Sequence, residues 1–311
     1  MFRKQGFSLA AIAVIGVLAL TGCGASTPSP TSVSEQARVE SGDSEAGKKI
    51  TLVSGTAKAN NAPPKTGDWA TGADGTPDSA DQRVVQQWVQ LKAVTADGIG
   101  RVVVNGAGMT LYRFDKDAPK SSKYACVGQC AQFFPPVLVT AGSRIFVAGV
   151  QRSEVGTVKR DDGTHQVVIG GWPVYRFVKD SKPGDVNGQG LSGTWFAVTP
   201  NGQKAGAQDR ASAEAPRSKP SPAAASAILF DAKNFADDEP SQGIAGIGCR
   251  NVARPSVASS IATPGHLTLW SEKDCRGNSV VIDGDIADLT SAGLDNTVAS
   301  IFFWPGGRQA S

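Results

Sequence analysis

Histidine is nearly missing: His165 and His266 are the two present in 311 residues, which leaves no multi-histidine metal centre. Long apolar runs are missing as well. The stretch Phe7–Leu20 falls short of the roughly 20 residues that a spanning helix needs. No basic stripe accompanies the formal charge of +3, which argues against a nucleic-acid partner. No Gly-x-Ser-x-Gly elbow supports a Ser/His/Asp set, so nothing marks a hydrolase. What is abundant is turn chemistry. Thirty-six glycines and 18 prolines beside 19% charged residues favour short strands and many turns over long helices. The length suits two modest domains rather than one large core.

Arg3 and Lys4 precede the apolar run, which ends in Leu20-Thr21-Gly22-Cys23. This spelling resembles the bacterial lipobox. The resemblance implies a leader over residues 1–22, removed before a Cys23 whose thiol carries a diacylglyceryl group. It places the chain on the extracytoplasmic side of the cell membrane, with the membrane itself as one partner. An ordinary secretory peptide is the competing reading. There is no twin arginine, so the general secretory route is expected.

In that oxidising compartment four cysteines remain, and four allow three pairings. Cys126 and Cys130 share one segment and Cys249 and Cys275 another, so two local disulfides are expected. Zinc is the alternative for Cys126-x-x-x-Cys130, but no second cysteine or histidine pair completes the site.

Composition divides the chain. Residues 23–81, rich in Ser, Thr, Pro, Gly, Ala and Asp, are expected to form a disordered tether spanning roughly 40 Å. A second linker is expected over 200–225, and a tail over 305–311. Between them lie folded pieces at 82–199 and 226–304. In the first, Val84–Val94 reads as a short helix leading into a strand. Arg101–Val104, Met109–Phe114, Val137–Thr140, Arg144–Val147, Gly156–Lys159, His165–Ile169, Trp172–Phe177 and Trp195–Val198 read as strands. The expected class is all-β.

That first piece is duplicated. Tyr112-Arg113-Phe114-Asp115-Lys116-Asp117 and Tyr175-Arg176-Phe177-Val178-Lys179-Asp180 share Tyr-x-Phe-x-x-Asp at an offset of 63. Alternation puts Tyr and Phe on one face of a strand and Arg on the other. An aromatic pair follows each copy, Phe133-Phe134 and Trp195-Phe196. With CVGQCAQFFPPVLV and KPGDVNGQGLSGTWF, these phrases resemble a bacterial secreted lipoprotein repeat. The resemblance implies a β-rich domain at the cell surface and supplies no activity.

Two readings of the repeat residues stand. Tyr112, Phe114, Tyr175, Phe177, Trp172 and Trp195 form either an aromatic binding face or the β core. Asp117 and Asp180 are either a carboxylate pair across a twofold axis or caps on their own turns. Asp185–Gly190 spells the front half of a calcium loop, but the twelfth position is Phe196, which favours a plain turn.

The second piece is duplicated too, at an offset of 40 that aligns Phe230 with Trp270, Lys233 with Lys273, Ser260 with Ser300 and Ile261 with Ile301. Phe230-x-x-x-x-Phe235-x-Asp237 and Trp270-x-x-x-x-Cys275-x-Gly277 resemble the βγ-crystallin Greek-key signature. The resemblance implies a small Greek-key sandwich. Cys275 stands where the second aromatic belongs, which fits a bond to Cys249 stapling a small core. It also implies candidate calcium ligands at Asp295, Asn296 and Ser300, although Ala299 breaks the pattern and the first key has no carboxylate there.

These features together predict a non-enzymatic, lipid-anchored envelope protein with a binding or structural role, resident cofactor none. Its partners would be the membrane, an envelope protein or a small molecule. The rival readings are a redox, haem- or metal-binding module built on the aromatic repeats, and a protease inhibitor acting through residues 226–304.

Overall fold

A computed structural model describes residues 49–75, 79–119, 123–206 and 221–305, which belong to one compact unit. The leader, Cys23 and about half of each expected linker lie outside the described residues. The strands are β1 (Thr51–Ser54), β2 (Trp88–Ala96), β3 (Gly100–Val104), β4 (Tyr112–Phe114), β5 (Leu138–Val139) and β6 (Arg144–Ala148). They continue with β7 (Val155–Lys159), β8 (His165–Ile169), β9 (Trp172–Tyr175) and β10 (Trp195–Ala197). Two short helices, α1 (Gln82–Val85) and α2 (Gln129–Phe133), interrupt them.

Two sheets result, ordered β1-β6-β2-β3 and β10-β4-β9-β8-β5, with β7 also paired to β8. Between them sits an aliphatic core that includes Leu91, Val103, Leu111, Ile145, Val147, Ile169 and Val174. Val174 faces this core while its neighbour Tyr175 faces away, as strand alternation requires. The far face of the second sheet is therefore aromatic.

The expected tether does not reach residue 81. β1 pairs in parallel with β6 from Thr51↔Arg144 to Ser54↔Val147. Behind it Trp69, Trp88 and Phe146 meet edge to face at 5.1 and 5.5 Å. Asp68 is buried, and its Oδ2 accepts the Gln90 and Gly106 amides, both at 3.0 Å. A segment of low apolar content thus folds because a sheet edge, Trp88 and Phe146 receive its strand and its own Trp69. The second linker is also shorter than expected. Ala205 is buried, the Gly202 carbonyl accepts from Arg113, and Ala224 N donates to the His266 carbonyl at 2.9 Å.

The C-terminal piece adds β11 (Ser226–Phe230), β12 (Ser241–Ala245), β13 (Gly248–Asn251), β14 (Ser260–Ala262), β15 (His266–Glu272), β16 (Arg276–Asp283) and β17 (Ser300–Phe303). Its sheets run β12-β11-β14 and β13-β17-β15-β16. β13 leaves the first key to pair with β17, while Ile286 of the second key bridges Ile261 in the first sheet. Each key lends a strand to the other, which is a Greek-key sandwich with exchanged third strands. The 40-residue repeat is exact in its corners. Asn234 and Phe235 share left-handed φ values with Asp274 and Cys275. Ser260 Oγ bonds the Ala232 carbonyl and the Phe235 amide; Ser300 Oγ bonds the Glu272 carbonyl and the Cys275 amide. Cys249 and Cys275 are disulfide-bonded, as are Cys126 and Cys130.

The two pieces are docked on each other. Phe230 and Phe235 form a cluster with Ala148 and Ala262. Gly149 lies against the Phe235 ring at a φ of 72°, where an added Cβ would sit 2.5 Å from Cε2. Asp285 Oδ2 accepts Gly149 N at 2.6 Å while its Oδ1 accepts Thr263 N at 2.7 Å. Thr56 and Lys92 both reach the Asp237 carboxylate.

Burial pushes Asp68 and Asp285 up to about 7, against the pull of their amide donors and of nearby Arg176, or Arg152 and Arg101. A carboxyl whose folded value lies above its unfolded 3.8 binds its proton more tightly in the folded state. Its stabilising effect is full at low pH and fades as pH rises toward 7. The thermal midpoint should therefore rise as pH is lowered from 8 to 5.5, and the slope should be shallower in Asp285→Asn. A midpoint that falls over that range, in calorimetry of the disulfide-intact chain, would contradict the assignment.

Candidate functional site

The repeat motif is where the sequence concentrates its chemistry, and the structure crosses the two copies over one another. Tyr112 and Tyr175 stand opposite each other in the antiparallel β4–β9 pair. The Tyr112 hydroxyl donates to Asp180 Oδ2 of the other copy at 2.6 Å and accepts Gly188 N at 3.2 Å. Gly188 is needed there, since a Cβ would fall 2.8 Å from the tyrosine ring. The second oxygen of each aspartate holds the loop that follows it. Asp180 Oδ1 accepts Asn187 N at 2.9 Å, and Asp117 Oδ1 accepts Ala125 N at 2.7 Å. Each carboxylate thus holds its own loop, as a cap, and faces a tyrosine of the other copy rather than the other carboxylate.

The mate crossing is looser. Burial first, then the Asp117 charge, push the Tyr175 phenol well above its ordinary range. Yet Tyr175 Oη and Asp117 Oδ2 approach each other without reaching full hydrogen-bond geometry. Burial also raises Asp117 and Asp180, and it outweighs the donors that stabilise their charge.

Four rings complete the arrangement. Phe114 stacks on Trp195 at 4.2 Å, Trp195 on Phe134 at 3.6 Å, and Phe134 on Phe177 at 4.5 Å. Exchanging the copies maps this column onto itself, with the axis between Trp195 and Phe134. Tyr112 meets Phe134 and Tyr175 meets Trp195 edge on, again as mates. The register fixes the equivalence: Asp115 N donates to the Thr194 carbonyl and Val178 N to the Phe133 carbonyl. Phe134 therefore corresponds to Trp195, and Phe133 to Thr194, one step away from the aromatic pairing read from sequence.

As a binding face, Tyr112, Phe114, Asp117, Tyr175, Phe177 and Asp180 are corrected by burial, because all six lie inside. Trp172 is on the opposite side, with the Arg113 guanidinium 3.3 Å over its ring. Phe177 alone of the six also lines a groove, of about 530 Å³, with Phe133, Lys179, Asn187 and Leu191. Sequence reasoning missed Phe133 and Leu191 as a pair; the signal available was a bulky apolar residue beside a glycine or cysteine turn.

Asp185 behaves as a turn residue, its Oδ2 accepting Ser181 N and Lys182 N. Among the candidate calcium ligands, Ser300 Oγ is committed to the Glu272 carbonyl and Cys275 amide. Asn296 Nδ2 donates to Asp295 Oδ2, and Asp295 Oδ1 has no partner. No group of three His, Cys, Asp or Glu side chains converges among the described residues.

The asymmetry of the crossings makes a prediction. Tyr112→Phe removes a donor from Asp180 and an acceptor from Gly188, so it should lower stability by about 1–3 kcal/mol. Tyr175→Phe removes a hydroxyl that only approaches Asp117 and Gln166, so it should cost less than Tyr112→Phe. Urea unfolding of both variants checks the order, and equal losses would refute it.

No curated protein matches the chain. Among solved structures, a βγ-crystallin from an archaeon is 21% identical, covering 26% of this chain and 98% of its own, with a TM-score of 0.23. A βγ-crystallin domain from Flavobacterium johnsoniae is 22% identical, covering 27% of this chain and 98% of its own, also with a TM-score of 0.23. The Greek-key description of residues 221–304 rests on strand order alone. Residues 93–138 and 156–199, the two halves that cross in the first module, each match the family described as a secreted repeat of unknown function.

Proposed function

We propose that this chain is a lipid-anchored, extracytoplasmic protein that binds or scaffolds and catalyses no reaction. The observation that carries the reading is the fate of the motif. Tyr112 and Asp180 bond each other, both aspartates hold their own loops, and all four motif side chains are buried in a ring stack away from solvent. A phenol held above its ordinary range by burial and an adjacent carboxylate is a poor nucleophile and a poor acid near neutral pH. The anchor is argued from Leu20-Thr21-Gly22-Cys23 and agrees with a repeat family described as secreted. Among the described residues no helix is long and apolar enough to cross a membrane. Attachment by lipid at Cys23 would hold the docked modules outside without one.

Cells fed a radiolabelled fatty acid should label the wild-type band and leave Cys23→Ala unlabelled and released into the medium. An unlabelled wild-type band defeats the anchor. Steady turnover of an extracellular substrate by purified protein, abolished in Tyr112→Phe, defeats the non-enzymatic part.

A further inference from the structure

The two ends of the ring column are equivalent by duplication and have been finished differently. At the Phe114 end, Thr194 holds the position of Phe133, and the Lys116 ammonium lies 5.9 Å over the Phe114 ring. At the Phe177 end the flank is Phe133 itself, 54% exposed, with Leu191, 41% exposed, lining the same groove of about 530 Å³. Phe133 and Leu191 are two of six large apolar side chains left exposed among the described residues. Isolated exposure needs no account, but two such residues on one concave surface do.

Both walls are held by local structure. Phe133 is the last residue of α2, tied by the Cys126–Cys130 bond and by Phe134 N donating to the Cys130 carbonyl. Leu191 follows Gly190, whose φ of 71° turns the chain, and Gly190 N donates to the Trp195 carbonyl. The groove is thus preorganised, and its size falls within the range of about 300–1,000 Å³ typical of small-molecule sites. Its charge is one-sided. Lys179 is exposed and has no ion-pair partner among the described residues. Asp180 is turned inward to Tyr112 and Asn187, while Asp185 is engaged by Ser181 and Lys182 amides.

We propose that this groove binds a small amphiphile with an aromatic body and one anionic group. The ring lies between Phe133 and Leu191 over Phe177, and the anion meets Lys179. This deepens the binding role proposed above and rests on it.

The probe is 1-anilinonaphthalene-8-sulfonate, titrated by fluorescence into secreted, unlipidated Cys23→Ala chain, beside the uncharged N-phenyl-1-naphthylamine. Saturable one-site binding is expected for both. Leu191→Ala should weaken both about tenfold, the loss expected when an apolar contact of this size is removed. Lys179→Glu should weaken the sulfonate several-fold and spare the neutral probe. Val281→Glu, at an exposed position of the C-terminal module, should change neither. Thermal midpoints of the three variants should match the parent. No saturable binding, equal losses from Val281→Glu, or a Lys179→Glu effect shared by both probes overturns the proposal. Failure of the anchor or the appearance of turnover is read in the labelling and activity assays, independently of this titration.

Discussion

Tyr112 and Asp180 belong to different repeats, and the hydrogen bond between them makes each repeat incomplete alone. A single copy would bury its carboxylate without the phenol and would own only two rings of a four-ring column. An unpaired buried carboxylate is costly, and half a stack leaves large aromatic surface in water. The folding unit is therefore the pair. Covalent linkage in one chain supplies the second copy at high effective concentration, so the crossing forms without an association cost.

Much of this was legible before any coordinates, and the rest was hidden for definable reasons. Strict alternation placed Tyr and Phe on one strand face and Arg on the other, and β8 falls at His165–Ile169 as the pattern requires. Cys275 in place of an aromatic pointed to its bond with Cys249. What sequence could not give was partnership across copies. A motif shows which residues share a face but not which strand lies opposite, and the Tyr112↔Tyr175 register decides that Asp180 rather than Asp117 receives the Tyr112 proton donor. The segment over 49–75 was hidden differently. Its strand is four residues long and pairs with β6, far ahead in the chain, so the short run Ile50-Thr51-Leu52-Val53 was lost in the polar composition around it. Trp69 was a second clue, because an indole in a supposed tether has to be buried against something.

The C-terminal module was expected to hang from a linker, yet it is seated. Phe230 and Phe235 pack on Ala148 and Gly149 of the repeat module, and Asp285 closes the contact with amides from both sides. Three features share that seam: small residues on the receiving side, aromatic corners on the docking side, and a buried carboxyl between them. A contact of this kind fixes orientation as well as attachment, so the repeat pair and the sandwich are held together through side chains of both.

Divergence between copies follows what covers each one. In the sandwich, the first corner keeps Phe235 where the repeat module shields it, and the second replaces the ring with Cys275 bonded to Cys249. An aromatic corner is stabilising only when something excludes water from it; a disulfide constrains the same corner without a cover. In the repeat pair the logic runs the other way. Thr194 is polar at the end of the column where Lys116 already lies over the ring, and its counterpart Phe133 is left large, apolar and open. An exposed phenylalanine stands at the Phe177 end, on a helix pinned by its own disulfide, as the proposed ligand groove requires.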